Sequence, residues 1–388
     1  MPKTPQNQMT HKNIRAIILS AGTSSRMRGD FKPLLPLGQM TLLERGIRLF
    51  KIAGISDIQV VIGHRHEELI PLLKQLEIPW IVNHQYADGM FSSVLTGISS
   101  LEPDHEAFFI LPVDIPLIRP QTVIDLLTAY QETFASNPSA DTRAILYPNF
   151  MGKRGHPPLI SSAYAQAITH WSGEGGLRGF LQEHESLATD VSVADECILL
   201  DLDTPADYQK LKSRYAQYHI PTEQECMALM TEKFGLPEPI LRHCQAVARL
   251  SLHLAEALNR AGGQLNLELI QAAGLLHDLA KGKSEHATVG ANILKDMGYP
   301  EVAEVVESHM DITICDADPV SANEVVYLAD KLLLGTKLVP IETRFAEKMR
   351  KYAHDLEIRA AIELRQANAF KIRQRIEKAV GKSLGVLF

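Results

Sequence analysis

Two hydrophobic rhythms divide the chain. From Asn13 to about Tyr218, short apolar runs recur at Ile14–Ala21, Ile58–Gly63, Trp80–Asn83, Ala107–Asp114, Ala144–Tyr147 and Ile198–Asp201. Each has the length of a buried strand. Amphipathic stretches such as Thr41–Ala53, Glu67–Leu76 and Gln121–Tyr130 lie between them and predict helices. Strands alternating with helices predict an α/β domain, Rossmann-like, with a mostly parallel sheet covered on both faces. The alternation stops at a polar joint that carries His219-Ile-Pro221-Thr222. Everything beyond it reads as helix. Ile240, Val247, Leu250, Leu254 and Leu258 keep helical spacing over Glu238–Asn259, and Leu267–Lys281 predicts a second helix. From Thr343 on, Arg, Lys, Glu and Ala at helical spacing predict one or two amphipathic helices with a solvated charged face. The expected organisation is an α/β domain over 13–218 and an all-α domain over 222–388, with no low-complexity tract or internal repeat.

Composition narrows the class. The 388 residues are 45% hydrophobic, enough for two or three domains with real cores. No apolar run approaches the roughly 20 residues that span a bilayer. The polar start, 1–12, lacks the apolar core of a secretory signal. Cys197, Cys226, Cys244 and Cys315 contain no CxxC pair and read as free thiols of a reducing compartment, so a cytoplasmic protein is expected. A net charge of −7 gives no broad basic surface. Neither nucleic acid nor membrane is therefore an expected partner.

Candidate chemistry in the first half starts where the first strand breaks. Leu19, Ser20, Ala21, Gly22, Thr23 and Ser24 form a run of small residues, followed by Arg26 and Lys32. Small residues let backbone N–H groups approach phosphate oxygens, and the two cations can neutralise a triphosphate. The spacing is neither that of a P-loop nor GxGxxG. The residues by themselves fit a phosphate-binding loop and an ordinary turn about equally. Asp114 ends a fully apolar run, and ligands on such sheets sit at the carboxyl ends of the strands. A carboxylate there can hold Mg²⁺ against a nucleotide phosphate, or cap a helix. The cluster Asp201-Leu-Asp203-Thr-Pro-Ala-Asp207 flanks the last apolar run, and Thr204-Pro205 opens a helix. Capping accounts for part of it.

The stretch from Leu19 to Lys32 resembles the signature LAAGxSxRMGxxK of the MobA/MocA-like nucleotidyltransferases, which attach nucleotides to the molybdenum cofactor. Ser20 stands where the signature has alanine. Asp114-Ile-Pro116 resembles the D-x-P segment, and Asp201–Asp207 resembles D-[IV]-D-T-P-x-D. The resemblance implies Mg²⁺ on Asp114 and Asp203, with Arg26 and Lys32 holding the triphosphate beside the Leu19–Ser24 loop. Three further segments are similar to the cytidylyltransferase branch: Asn83 with Gly89-Met-Phe-Ser-Ser93, Gly152-Lys-Arg-Gly-His156-Pro-Pro158, and Gly173-Glu-Gly-Gly-Leu-Arg178, where Glu174 and Leu177 are substitutions. That branch, together with Ala21 where guanylyl enzymes tend to have glycine, favours CTP over GTP. It implies molybdopterin or the molybdenum cofactor as acceptor, with His156 and Arg178 near it, and a molybdoenzyme or its maturation factor as partner. A sugar phosphate is the alternative acceptor.

In the second half, His277-Asp278 is embedded in an apolar stretch. Buried charge is costly unless paired or bound to metal. With His243 upstream and Asp330 downstream, the order resembles H…HD…D of the HD-domain metal-dependent phosphohydrolases. His286 and His309 fall where dinuclear members carry additional histidines. The resemblance implies that these four histidines, Asp278 and Asp330 hold one or two ions, and imidazoles mixed with carboxylates suit Fe, Mn, Zn or Ni. Lys281 is open to two readings, a contact with substrate phosphate or a surface lysine. A rival for the whole chain is an HD phosphohydrolase whose first half only senses nucleotide.

Overall fold

The computed structural model describes residues 13–27, 29–136 and 143–386, so the polar start at 1–12 lies outside the described residues. The chain divides into two compact units, one ending at Ala216 and the other beginning at Gln217.

The first unit is built on a mixed sheet. In chain order its main strands are β1 (Ile14–Ser20), β2 (Ile58–Ile62), β3 (Trp80–Val82), β4 (Ala107–Pro112), β5 (Ile145–Phe150), β6 (Leu159–Ser161) and β7 (Ala188–Ser192). They lie side by side as β7-β5-β6-β4-β1-β2-β3. β1 pairs in parallel with both β2 and β4, so Leu19 lies between Val61 and Pro112. Chain order reverses at β1, with β2 on one side and β4 on the other. The loops that leave β1 and β4 therefore diverge from a crevice, which is where open α/β sheets bind ligands. The parallel pattern is interrupted by β6, which runs antiparallel to β4 and β5.

The central strands are mostly apolar because both faces are covered. Ile17, Leu19, Val61, Phe108 and Ile110 are buried in one cluster with Tyr164 and Phe180. Helix α1 (Leu42–Ile52) shows how local sequence sets an element. Thr41 and Glu44 form a reciprocal capping box, and Leu42, Leu43, Ile47, Leu49 and Phe50 are its buried face. The remaining helices that position the site are α2 (His66–Gln75), α3 (Met90–Ile98), α4 (Pro120–Ser136), α5 (Gly176–Glu183) and α6 (Pro205–Ala216).

The run Ile198–Asp201 is not the strand its apolar character predicts. Glu196–Leu199 forms a 3-10 turn, and the sheet edge is β7 instead. Buried Asp195 accepts the N–H of Cys197, the N–H of Arg119 and the Thr122 hydroxyl, which turns the chain before it can join a ladder. β7, Ala188-Thr-Asp-Val-Ser192, is mostly exposed and lacks an apolar signature.

Among the described residues the second unit is helical apart from a short hairpin, which the sequence pattern does not predict. Its main elements are α7 (Glu238–Arg260), α8 (Leu267–Leu276), α9 (His286–Asp296), α10 (Pro300–Ser308), α11 (Ala322–Lys331), the hairpin β8 (Leu333–Leu334) and β9 (Lys337–Leu338), α12 (Ile341–Lys351) and α13 (Leu356–Val380). α7 packs on α8 so closely that a Cβ at Gly274 would lie 2.7 Å from Ala248 Cα. The helix expected over Leu267–Lys281 stops at Leu276, and His277 and Asp278 sit on the turns that follow.

Candidate active sites

The first site lies at the switch point of the sheet. Lys32 sits on a short turn and sends its ammonium between two carboxylates, at 3.1 Å from Asp114 Oδ2 and 3.1 Å from Asp203 Oδ1. Arg26 Nη1 lies 2.5 Å from the other oxygen of Asp203. The two acids come from loops 89 residues apart in sequence, yet the Leu202 N–H donates to the Asp114 carbonyl at 2.9 Å and ties the loops together. Leu202 is buried and Asp201 is exposed, which leaves Asp203 as the acid of its cluster that faces Lys32. Asp207 caps α6 through Thr204, as the motif's capping reading requires. Asp114 starts no helix, since α4 begins only at Pro120.

The loop after β1 wraps beside this triad. Ser24 takes a left-handed φ of 52°, and its hydroxyl accepts the Lys32 N–H at 3.1 Å. A cavity of about 410 Å³ is lined by Leu19 to Ser24, Arg26, Lys32 and Asp114. Gly63, at the end of β2, lets the loop seat: a Cβ there would come within 2.8 Å of the Ala21 Cβ. Two carboxylates that converge on one cation suit a hard divalent ion, and here the Lys32 ammonium stands at their meeting point.

A second cavity of about 790 Å³ shares Leu19, Met90 and Pro112 with the first, and it contains His156 and Arg178. His156 is positioned by its backbone N–H, which donates to the Ile198 carbonyl at 3.1 Å. Burial lowers its proton affinity, partly offset by Asp114 and Asp201. Arg178 is exposed on α5. Sequence reasoning missed Phe91, Tyr147 and Arg154 in this cavity. Arg154 stacks over the Tyr147 ring, 4.5 Å from its centroid, and is held by Asp190 and Glu185. Phe91 and Arg154 lie inside the segments Gly89–Ser93 and Gly152–Pro158, where neither stands out by residue type, and Tyr147 only ends an apolar run. The Asn83 motif has another job: its amide donates to Ser92 and Ser93 at 2.9 and 3.0 Å and shapes the start of α3.

The second site gathers side chains from five segments of the helical unit. His243, His277 and Asp330 form one triad of potential ligand atoms, and Asp278, His286 and His309 another, each within 4.8 Å. Asp278 sits between them: its oxygens lie 3.6 Å from His277 Nε2, 3.2 Å from His286 Nε2 and 3.6 Å from His309 Nε2. His243, His277 and His309 each face a backbone carbonyl with Nδ1, those of Gly335, Gly274 and Val306. A carbonyl can only accept, so Nδ1 carries a proton in each of these rings and Nε2 faces the cluster. His243 Nε2 lies 3.0 Å from Asp330 Oδ1, and although burial works against a charged ring, that carboxylate raises the proton affinity of His243 above the ordinary value. His277 Nε2 is buried with no hydrogen-bond partner. Burial pushes His277 down to about 4, so it is a neutral donor at neutral pH. Burial works against ionised Asp330, yet Lys331 and His243 hold it well below the usual carboxylate range. This donor set fits transition-metal ions, and the unsatisfied His277 nitrogen is the observation that calls for one.

The expected solvated face of the last helices is not uniformly solvated. Arg344 on α12 turns inward, with Nη2 3.9 Å from Asp330 Oδ1. Among the described residues, no helix is long and apolar enough to cross a membrane.

Comparison with known proteins places both units. Residues 16–189 match the MobA-like NTP transferase domain, and residues 240–334 match the HD domain. Molybdenum cofactor cytidylyltransferase from Escherichia coli (strain K12) is 30% identical over 205 residues, which are 53% of this chain and 98% of that protein. Nicotine blue oxidoreductase from Paenarthrobacter nicotinovorans is 27% identical over 202 residues, 51% of this chain and 96% of that protein. The chain therefore belongs to the MobA-like NTP transferase family, and it carries an HD domain in the same polypeptide.

Proposed function

We propose that the first unit moves CMP from CTP onto the terminal phosphate of molybdopterin or its molybdenum-loaded form, in the cytoplasm, and that the second unit is a metal-dependent phosphohydrolase. The observation that carries the first reading is the Lys32 ammonium shared by Asp114 and Asp203 beside a loop of small residues. In this reading Arg26 and Lys32 bind the triphosphate, and Lys32 exchanges its carboxylates for phosphate oxygens as nucleotide enters. Backbone N–H groups of the Leu19–Ser24 loop orient the phosphates. The acceptor lies in the adjoining cavity near His156 and Arg178, so that its phosphate oxygen meets the α-phosphorus in line. The α–β anhydride bond breaks, and pyrophosphate leaves with its charge held by Arg26 and Lys32. A phosphate monoester is largely a dianion near neutral pH, so no general base is required. Mg²⁺ held by Asp114 and Asp203 would supply charge neutralisation at the reacting phosphate.

The similarity to the cytidylyltransferase supports the acceptor, and Ala21 supports CTP. The similarity to an oxidoreductase is a reason to test the acceptor directly. The decisive assay gives the purified protein Mg²⁺, each NTP in turn and molybdopterin or the molybdenum cofactor, and reads the dinucleotide product by mass. CTP is expected to outpace the other nucleotides. Turnover with GTP overturns the base assignment and keeps the chemistry. Product only with a sugar phosphate overturns the acceptor.

In the second unit the six ligands would hold one or two divalent ions, which supply Lewis acidity and an activated water. The three Nδ1 donors fix their rings so that each Nε2 faces the centre. His277→Gln, assayed for bound metal after purification, is expected to lose most of it. Retention of full metal content overturns the ligand assignment.

A further inference from the structure

The ligand set of the helical unit carries two acids, Asp278 and Asp330, and more cations than those acids can neutralise. Lys281 Nζ lies 3.0 Å from Asp278, and Lys331 Nζ lies 2.6 Å from Asp330 while also donating to the His309 carbonyl at 2.9 Å. These two lysines already balance the carboxylates. Arg344 then arrives from α12 as an additional charge, 3.9 Å from Asp330, with a side chain only 20% exposed. Its Nε is buried and carries no hydrogen bond. Lys348 follows one helical turn later on the same face, at the i,i+4 spacing. The protein packed around its ammonium and the neighbouring cations Arg344, Lys331 and Lys281 weaken its hold on a proton although the residue as a whole is exposed, and Asp330 opposes them.

An uncompensated guanidinium and ammonium beside a metal cluster are unfavourable until an anion covers them. Divalent ions on the histidines add further positive charge. Two adjacent phosphates, one at the metal centre and one on the helix, would answer both the charge of the ions and the two cations of α12.

Resting on the phosphohydrolase reading, we propose that Arg344 and Lys348 bind the distal phosphate of a phosphoanhydride, so that the helical unit cleaves P–O–P bonds in preference to phosphate monoesters. Water adds to the phosphorus at the centre, the bridging P–O bond breaks, and the phosphate held by α12 leaves with the bridging oxygen. The two protons of the water end one on each product, so one pyrophosphate gives two orthophosphates. The transferase reaction of the same chain releases such an anhydride and consumes another, which makes pyrophosphate and nucleoside triphosphate the two sources to separate.

The test uses the full chain loaded with Mn²⁺, with bound metal measured for each variant. Calorimetry compares methylenediphosphonate, which cannot be hydrolysed, with inorganic phosphate. Hydrolysis is followed for inorganic pyrophosphate, CTP without acceptor, and p-nitrophenyl phosphate. Expected are binding of the diphosphonate at least about 10-fold tighter than phosphate and cleavage of an anhydride faster than the monoester. Faster pyrophosphate cleavage assigns the by-product as substrate, and faster CTP cleavage assigns the nucleotide. Either result supports the proposal. Arg344→Ala and Lys348→Ala are each expected to weaken the diphosphonate by about 10-fold with metal content unchanged, and Arg344→Lys to recover part of it. Lys348 is exposed, so its variant tests the proposal even if Arg344→Ala fails to fold. Equal affinity for the two probes, or variants that bind the diphosphonate as the parent does, overturns the proposal. A chain that takes up no metal overturns the phosphohydrolase reading instead.

Discussion

Lys32 is the residue on which the first site turns. It is the common partner of two acids, and its removal leaves Asp114 and Asp203 facing each other without the cation between them. Lys32→Ala is expected to lower kcat/KM for nucleotidyl transfer by about 10²–10³, the usual loss for one positioned electrostatic group. A variant with full turnover in the dinucleotide assay would contradict the assignment. His156 makes a prediction in pH. Burial disfavours its charged form, so the folded chain binds that proton less tightly than the unfolded chain. The neutral ring's contribution is complete above the unfolded value of about 6.5 and is lost as pH falls below it toward the folded value. Between pH 7.5 and 5.5 the melting temperature of the parent is therefore expected to fall more than that of His156→Asn. Parallel curves for the two proteins would show that His156 does not titrate in this way.

Elements decide what the residues can reach. Gly274 lies where α7 and α8 meet, and its carbonyl orients the His277 ring. Gly274→Ala forces a methyl against the Ala248 backbone and is expected to cost about 1–3 kcal/mol by overpacking. The same shift moves His277 against His243, so metal affinity is expected to fall about 10- to 100-fold, as for other supporting-shell changes. Thermal melts and metal titration read the two effects separately, and unchanged metal affinity would show that the ring tolerates the shift. The element scale is also where periodicity misled. Ile198 and its neighbours are apolar because they are buried, and Asp195 turns them out of the sheet. β7 joins the sheet with almost no apolar signal because one edge strand needs few buried side chains. The apolar run through His277-Asp278 outlasts its helix for a related reason: such a run reports burial, and burial continues through the turns past Leu276.

At the scale of the whole molecule, each unit holds a complete set of candidate site residues of its own. Lys32→Ala is therefore expected to leave metal content in the helical unit at the parent level, and His277→Gln to leave nucleotidyl transfer within about twofold. Loss of both properties in either variant would reveal a dependence between the units. The chain by itself determined the class of each unit, because strand–helix alternation and continuous helical spacing are local patterns. It also marked candidate residues, since Lys32, Asp114, Asp203 and the His/Asp series stand out by type and context. Tertiary structure alone decided their distances: the 3.1 Å contacts of Lys32 join segments far apart in sequence, and no local pattern encodes such a meeting. It also decided the direction of Arg344, whose helix looks solvated in sequence because a long cationic side chain can lie on either face at the same spacing. Local sequence sets the period of an element, and packing sets which side of it meets the site.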